Sequence, residues 1–227
     1  MEELRAGHRN SFQQYGPDLI GIGTTPDFAI GQRALLLRTT HGNFLWDCIS
    51  LLDDATIEMV RAVGGLRGIA ISHPHFYSSM LEWSRAFGNA PIYLHAADRQ
   101  WVMRRGDTIE FWDGPRKEIA PGVMLVHCGG HFAGGTVLHW ANAANGRGAL
   151  LTGDIIQVTP DGFVSFMYSY PNSTPLSARA VQAVADAVKP FEYDRIYGAW
   201  WDRKIDNHAP DIVAKSVARY LAAITDS

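Results

Sequence analysis

Cysteine is scarce in this chain, with two residues in 227, Cys48 and Cys128. They form no Cys-x-x-Cys pair and fall on predicted strands, so the reading is two buried free thiols. No disulfide framework is implied, and only Cys128, close in sequence to His131, could border a site. Long apolar runs are also missing. None approaches the ~20 residues of a membrane-spanning helix, and the start Met-Glu-Glu-Leu-Arg lacks the basic-then-apolar pattern of a signal peptide, so a cytoplasmic location is expected. Nor does one sign of charge dominate. Twenty Lys and Arg against 23 Asp and Glu leave a net charge of -3, and no basic cluster is longer than Arg104-Arg105. Nucleic acid and anionic membrane are therefore not expected as partners. Internal repeats, low-complexity tracts and Pro/Gly/Ser linkers are absent too, so residues 1–227 are read as one domain.

What the chain does have is apolar content and clustered histidine. At 47% hydrophobic residues it can bury a sizeable core. The run Leu66 to Ile71 ends in Ser72-His73-Pro74-His75. The run Val123 to Val126 is followed by Gly129-Gly130-His131, and the run Ala149 to Thr152 by Gly153-Asp154. Each of these residues sits where chain leaves a strand, the place where loops on a rigid scaffold carry chemistry. In a short His-x-His both rings can face one point, and Pro74 restricts the backbone that aims them. Three imidazoles and a carboxylate suit zinc, and also iron or manganese.

Periodicity predicts strands near residues 18–23, 27–31, 34–39, 43–48, 67–72, 91–94, 108–112, 123–128, 135–140, 148–152, 162–167 and 194–199. Helices are expected over Ser78 to Phe87, with Ser78 as N-cap, and over Ala97 to Met103. A third is expected from Ser173-Thr174-Pro175 to Pro190, with Leu176, Ala180, Val184 and Val188 on one face. A last one starts near Pro210 and carries Val213, Val217, Tyr220 and Ile224. Strands in runs with helices between and after them give a layered α+β architecture.

The succession of motifs resembles the metallo-β-lactamase superfamily, which carries His-x-His-x-Asp-His, then Gly-His, Gly-Asp and a final His. The segment Gly129 to Thr136 is similar to its Gly-His loop, Leu151-Thr152-Gly153-Asp154 to its Gly-Asp strand end, and the strand pair ending at Asp47 to its opening hairpin. The resemblance implies a four-layer αββα sandwich. It also implies metal ligation by His73, His75, His131 and Asp154, the last bridging two metals in relatives.

The departures are specific. Tyr77 and Ser78 occupy the positions of the Asp and the final His of that His-x-His-x-Asp-His motif, and no histidine lies within Tyr197-Gly198-Ala199-Trp200-Trp201, where the family's last one would fall. The nearest is His208, which is expected to lie off the site. The resemblance therefore implies one metal ion, zinc first and iron or manganese as alternatives, where two are usual.

The expected activity is hydrolysis of a small ester, lactone, thioester or related substrate. Asp154 would be a ligand or a proton acceptor, and the Tyr77 phenol could stabilise an oxyanion. Tyr77, Phe166, Tyr168 and Trp200 are the candidate substrate contacts. Iron-dependent oxygen chemistry and a non-catalytic ligand-binding role are the alternatives, and a homo-oligomer is left open.

Overall fold

The structure is a computed structural model and describes residues 2–225. Two compact units divide the chain: one comprises the residues through Leu94 together with Arg99–Trp112, the other His95–Asp98 and the residues from Asp113 onward.

The first unit is built on a seven-stranded sheet in sequential order: Arg9–Gly16, Leu19–Thr25, Arg33–Thr39, Gly42–Trp46, Gly68–Ala70, Ile92–His95 and Ile109–Trp112. The first four strands form an antiparallel meander, and Gly68–Ala70 then joins parallel to Gly42–Trp46. That change of direction requires a crossover, which the helix Asp54–Ala62 supplies. Asp53 starts this helix, its carboxylate accepting the Thr56 N–H at 2.8 Å. Leu35, Leu36, Leu37, Phe44, Leu45 and Trp46 are all at most 1% exposed. A strand buried on both faces reads as an unbroken apolar run, and for that reason these strands were visible in the sequence.

The second unit carries a six-stranded sheet in the order Lys204–Ile205, Arg195–Gly198, Ala149–Gly153, Thr136–Trp140, Val123–His127 and Arg116–Ala120. Its core gathers Val126, Val137, Leu150 and Ile196 from the sheet with Val181, Val184 and Val188 of the helix Ala178–Val188 and Val213 and Val217 of the helix Ala209–Thr225. The spacing of these valines places them on one stripe of each helix. Ser216 is fully buried yet satisfied, donating to Ile212 O and accepting the Val164 N–H.

Several local expectations are corrected. Residues 27–31 form no strand, because Ala29 and Gly31 take positive φ of 54° and 67° and turn the chain. The strand Arg9–Gly16 was not anticipated, since its sequence is polar and largely exposed, and neither were Arg116–Ala120 and the helix Asp54–Ala62. The helix expected from Ser173 starts four residues later. Ser173 adopts φ 52°, Thr174–Pro175 pairs with Met167–Ser169, and Ser177 is the residue whose hydroxyl accepts a backbone N–H, that of Ala180. Ser78 is not a cap: the helix there is Met80–Ala86, preceded by Ser79, whose hydroxyl donates to Ile49 O instead.

Candidate metal centre

The strand Gly68–Ala70 delivers the chain into Ser72, and the short 3-10 turn Pro74–Phe76 follows with His73 as its extended flanking residue. His73 is fully buried, and His75 is exposed. Behind His73 lies a fixed chain of hydrogen bonds. Asp47, 1% exposed and bent into positive φ (61°), accepts both the backbone N–H and the hydroxyl of Ser72 through Oδ1, each at 2.8 Å. Having donated its only proton to the carboxylate, the Ser72 oxygen must accept from His73 Nδ1, 2.9 Å away. This settles the tautomer: His73 carries its proton on Nδ1 and presents the Nε2 lone pair. His75 Nδ1 is 3.0 Å from that Nε2.

His131 reaches the same state by other means. It rides on a loop closed where Cys128 N and Gly129 N both donate to Gly135 O, and a Cβ on Gly135 would stand 2.3 Å from Gly129 O, so only glycine fits the closure. Two carbonyl oxygens, Met167 O at 3.1 Å and Tyr168 O at 2.9 Å, receive its Nδ1–H, again leaving Nε2 as the bare acceptor. Burial disfavours its cation and moves its pKa below the usual histidine value. Asp154 follows the strand Ala149–Gly153 and is 3% exposed, with Oδ2 3.8 Å from His131 Nε2. The Tyr170 hydroxyl donates to Asp154 O at 2.7 Å while its ring meets the His131 ring edge-on.

His73, His75, His131 and Asp154 each offer one ligand atom, and the four atoms lie within 4.8 Å of one another. Imidazole nitrogens, with Nε2 lone pairs on His73 and His131, joined by a carboxylate are the donors a zinc or similar ion takes, so these residues fit such an ion. His208 is not among them: it is exposed and lies at the start of the last helix, its N–H bonded to Asp194. Cys128 is not among them either, and burial pushes its thiol up to about 12, the value of an inert thiol. Both cysteines are free and buried, as expected.

The other candidates part company. Tyr77, 7% exposed, closes the 3-10 turn, its N–H donating to Pro74 O. Tyr168 is 62% exposed, and its backbone carbonyl is what holds His131. Trp200 is partly exposed in a turn whose Arg203 N–H it accepts. Phe166 is corrected: it is fully buried in the second unit's core, edge-on to Tyr220, and a side chain without exposed surface cannot meet a substrate. Sequence reasoning assigned no role to Ser72, Asp47 or the two carbonyls behind His131. Asp47 stood out only as an acidic strand end, and backbone carbonyls leave no residue-type signal.

No family model matches the chain. Its sequence is 45% identical over 227 residues to the uncharacterized protein YmaE of Bacillus subtilis (strain 168), spanning 99% of this chain and 82% of that protein. Among solved structures, it superposes on the metallo-β-lactamase FIM-1 from Pseudomonas aeruginosa in its mono-zinc form with a TM-score of 0.63 at 15% identity, covering 92% of this chain and 95% of that one. The chain belongs to the YmaE family and has the metallo-β-lactamase fold. An N-acyl homoserine lactone hydrolase is a further neighbour, with a TM-score of 0.52 at 20% identity over 79% of this chain and 81% of the other. The α+β class with two large sheets expected from the motif succession is thus the observed one. No described helix is long and apolar enough to cross a membrane.

Proposed function

We propose that this YmaE-family protein is a metal-dependent hydrolase of small esters, lactones or thioesters, working with one zinc ion held by His73, His75 and His131 beside Asp154. The observation that carries the reading is the donor cluster itself, in which second-layer hydrogen bonds fix the tautomers of His73 and His131 so that both offer Nε2. The reading of a single ion is supported by Tyr77 and Ser78, which stand where the resembling family carries further ligands. The fold shared with a lactone hydrolase supports the substrate class.

A bound zinc supplies Lewis acidity and a water-derived nucleophile near neutral pH. The chain's own residues do the rest. Asp154, a carboxylate 3% exposed, takes the proton of the attacking water. Tyr77, two residues beyond His75, donates its phenolic hydrogen to the developing oxyanion. Neutral His131, kept so by burial, contributes a lone pair without a charge to repel the ion.

The test is a hydrolysis screen of zinc-loaded protein on aryl acetates, γ-lactones and thioesters. Turnover of one class, reduced about 100-fold or more in Asp154→Asn and abolished in His131→Ala, is expected. Turnover that persists in His131→Ala would refute the assignment.

A further inference from the structure

A carboxylate and an imidazole grip the two ends of one peptide unit in the loop that carries His131. His127 ends the strand Val123–His127, and its Nε2 lies 2.8 Å from Ala133 O. Asp98 comes from the 3-10 segment Ala96–Trp101, and its Oδ1 accepts the Gly134 N–H at 2.8 Å. Ala133 C=O and Gly134 N–H belong to the same amide, two residues beyond His131. The fit is close: a Cβ on Gly134 would stand 2.7 Å from Asp98 Cγ.

Each jaw of the clamp is itself held. The His127 ring lies on the His95 ring with centroids 3.8 Å apart and planes 12° from parallel. His95 accepts the Ala97 N–H on Nδ1 at 3.3 Å, so its Nε2–H points to Gly114 O, also at 3.3 Å. Burial and the neighbouring His127 both disfavour a charge on His95, and a neutral ring is what allows two imidazoles to stack.

Asp98 is 1% exposed, and its Oδ2 has no hydrogen-bond partner among the described residues. Burying a carboxylate on one hydrogen bond costs stability. That cost is borne at the one hydrogen bond that holds the Gly134 N–H in the loop of His131.

We propose that Asp98 and His127 are positioning residues that orient His131 as a metal ligand by clamping the Ala133–Gly134 peptide. The role rests on the metal-centre reading above. His131 is then fixed from both sides, through its ring by Met167 O and Tyr168 O and through its backbone by the clamp. Partners behind a metal ligand typically contribute about 10- to 100-fold in metal affinity.

The experiment measures zinc affinity by competition with a chromophoric chelator, together with amide hydrogen exchange over residues 129–135. Both are run on the full chain and on Asp98→Ala, Asp98→Asn, His127→Ala and His127→Gln. The alanine variants should bind zinc about tenfold or more weakly and exchange faster in the loop. Asp98→Asn and His127→Gln, which keep an acceptor and a donor, should return affinity to within about threefold. Unchanged affinity in both alanine variants, or weakened affinity that neither conservative variant restores, overturns the proposal.

Should the alanine variants fail to fold, nitrogen NMR of the unaltered protein decides. His127 protonated at Nε2 is required, and a bare Nε2 refutes the clamp. Absence of zinc binding in the unaltered protein would sink the metal centre, leaving the clamp to stand or fall on the exchange data and the His127 tautomer.

Discussion

His73 Nε2 and His75 Nδ1 stand 3.0 Å apart, and the hydroxyl behind His73 decides which of them holds the proton. Because Ser72 accepts from His73 Nδ1, the bond between the rings runs from His75 Nδ1–H to His73 Nε2. A metal ion would compete with that one proton for two converging lone pairs. Ser72→Ala removes the tautomer lock without touching a ligand. Zinc affinity should fall about 10- to 100-fold, read by chelator competition, with Ser72→Thr close to the unaltered protein. Equal affinity in Ser72→Ala would show that the Asp47–Ser72 chain has no bearing on ligation.

Stability of the metal-free protein should fall on the acid side. His139 is 8% exposed and donates to Glu192 O at 2.8 Å, and burial holds its pKa below the ordinary 6.5. His95 shifts in the same direction. As pH drops through 6.5 the unfolded chain takes up protons that the folded chain refuses, so unfolding becomes easier from that value down to the folded pKa. Urea unfolding at pH 7.5 and 5.5 should show the loss, and His139→Gln, which keeps a donor for Glu192 O, should show less of it. An identical loss in the variant would assign the acid sensitivity elsewhere.

Tyr77→Phe separates the oxyanion role from packing. The ring is 7% exposed and stays in place in the variant. If the phenol stabilises charge in the transition state, kcat should fall about tenfold to a hundredfold with metal content and KM little changed. Unchanged kcat would return Tyr77 to the core.

Phe166→Ala should behave as a core truncation. Complete burial among Tyr220 and the helix valines predicts a loss of about 3–5 kcal/mol in stability. Activity per folded molecule should be preserved at low temperature. A raised KM at unchanged stability would restore Phe166 as a substrate contact.

The parts of the fold that were legible in sequence are those where burial dictates residue type. Residues 34–37 and 149–151 are buried, apolar runs, whereas Arg9–Gly16 is a polar strand that takes its place by pairing with Leu19–Thr25. The late start of the helix at Ala178 was hidden because Ser173, Thr174 and Ser177 all suit a helix start, and only the pairing with Met167–Ser169 chooses among them. At the centre, the four donors were readable because ligand chemistry restricts residue type. Their supports were not. Ser72, Asp98 and the carbonyls of Met167 and Tyr168 act through hydrogen bonds that many residues, or any residue, could make.

The most direct test of the single-ion centre is elemental mass spectrometry of untagged protein reconstituted with zinc, set beside His75→Ala. His75 is exposed, so its truncation should leave the fold intact while removing a ligand. About one zinc per chain, lost in the variant, is the expected result. Two ions per chain, or one ion retained in His75→Ala, would contradict it.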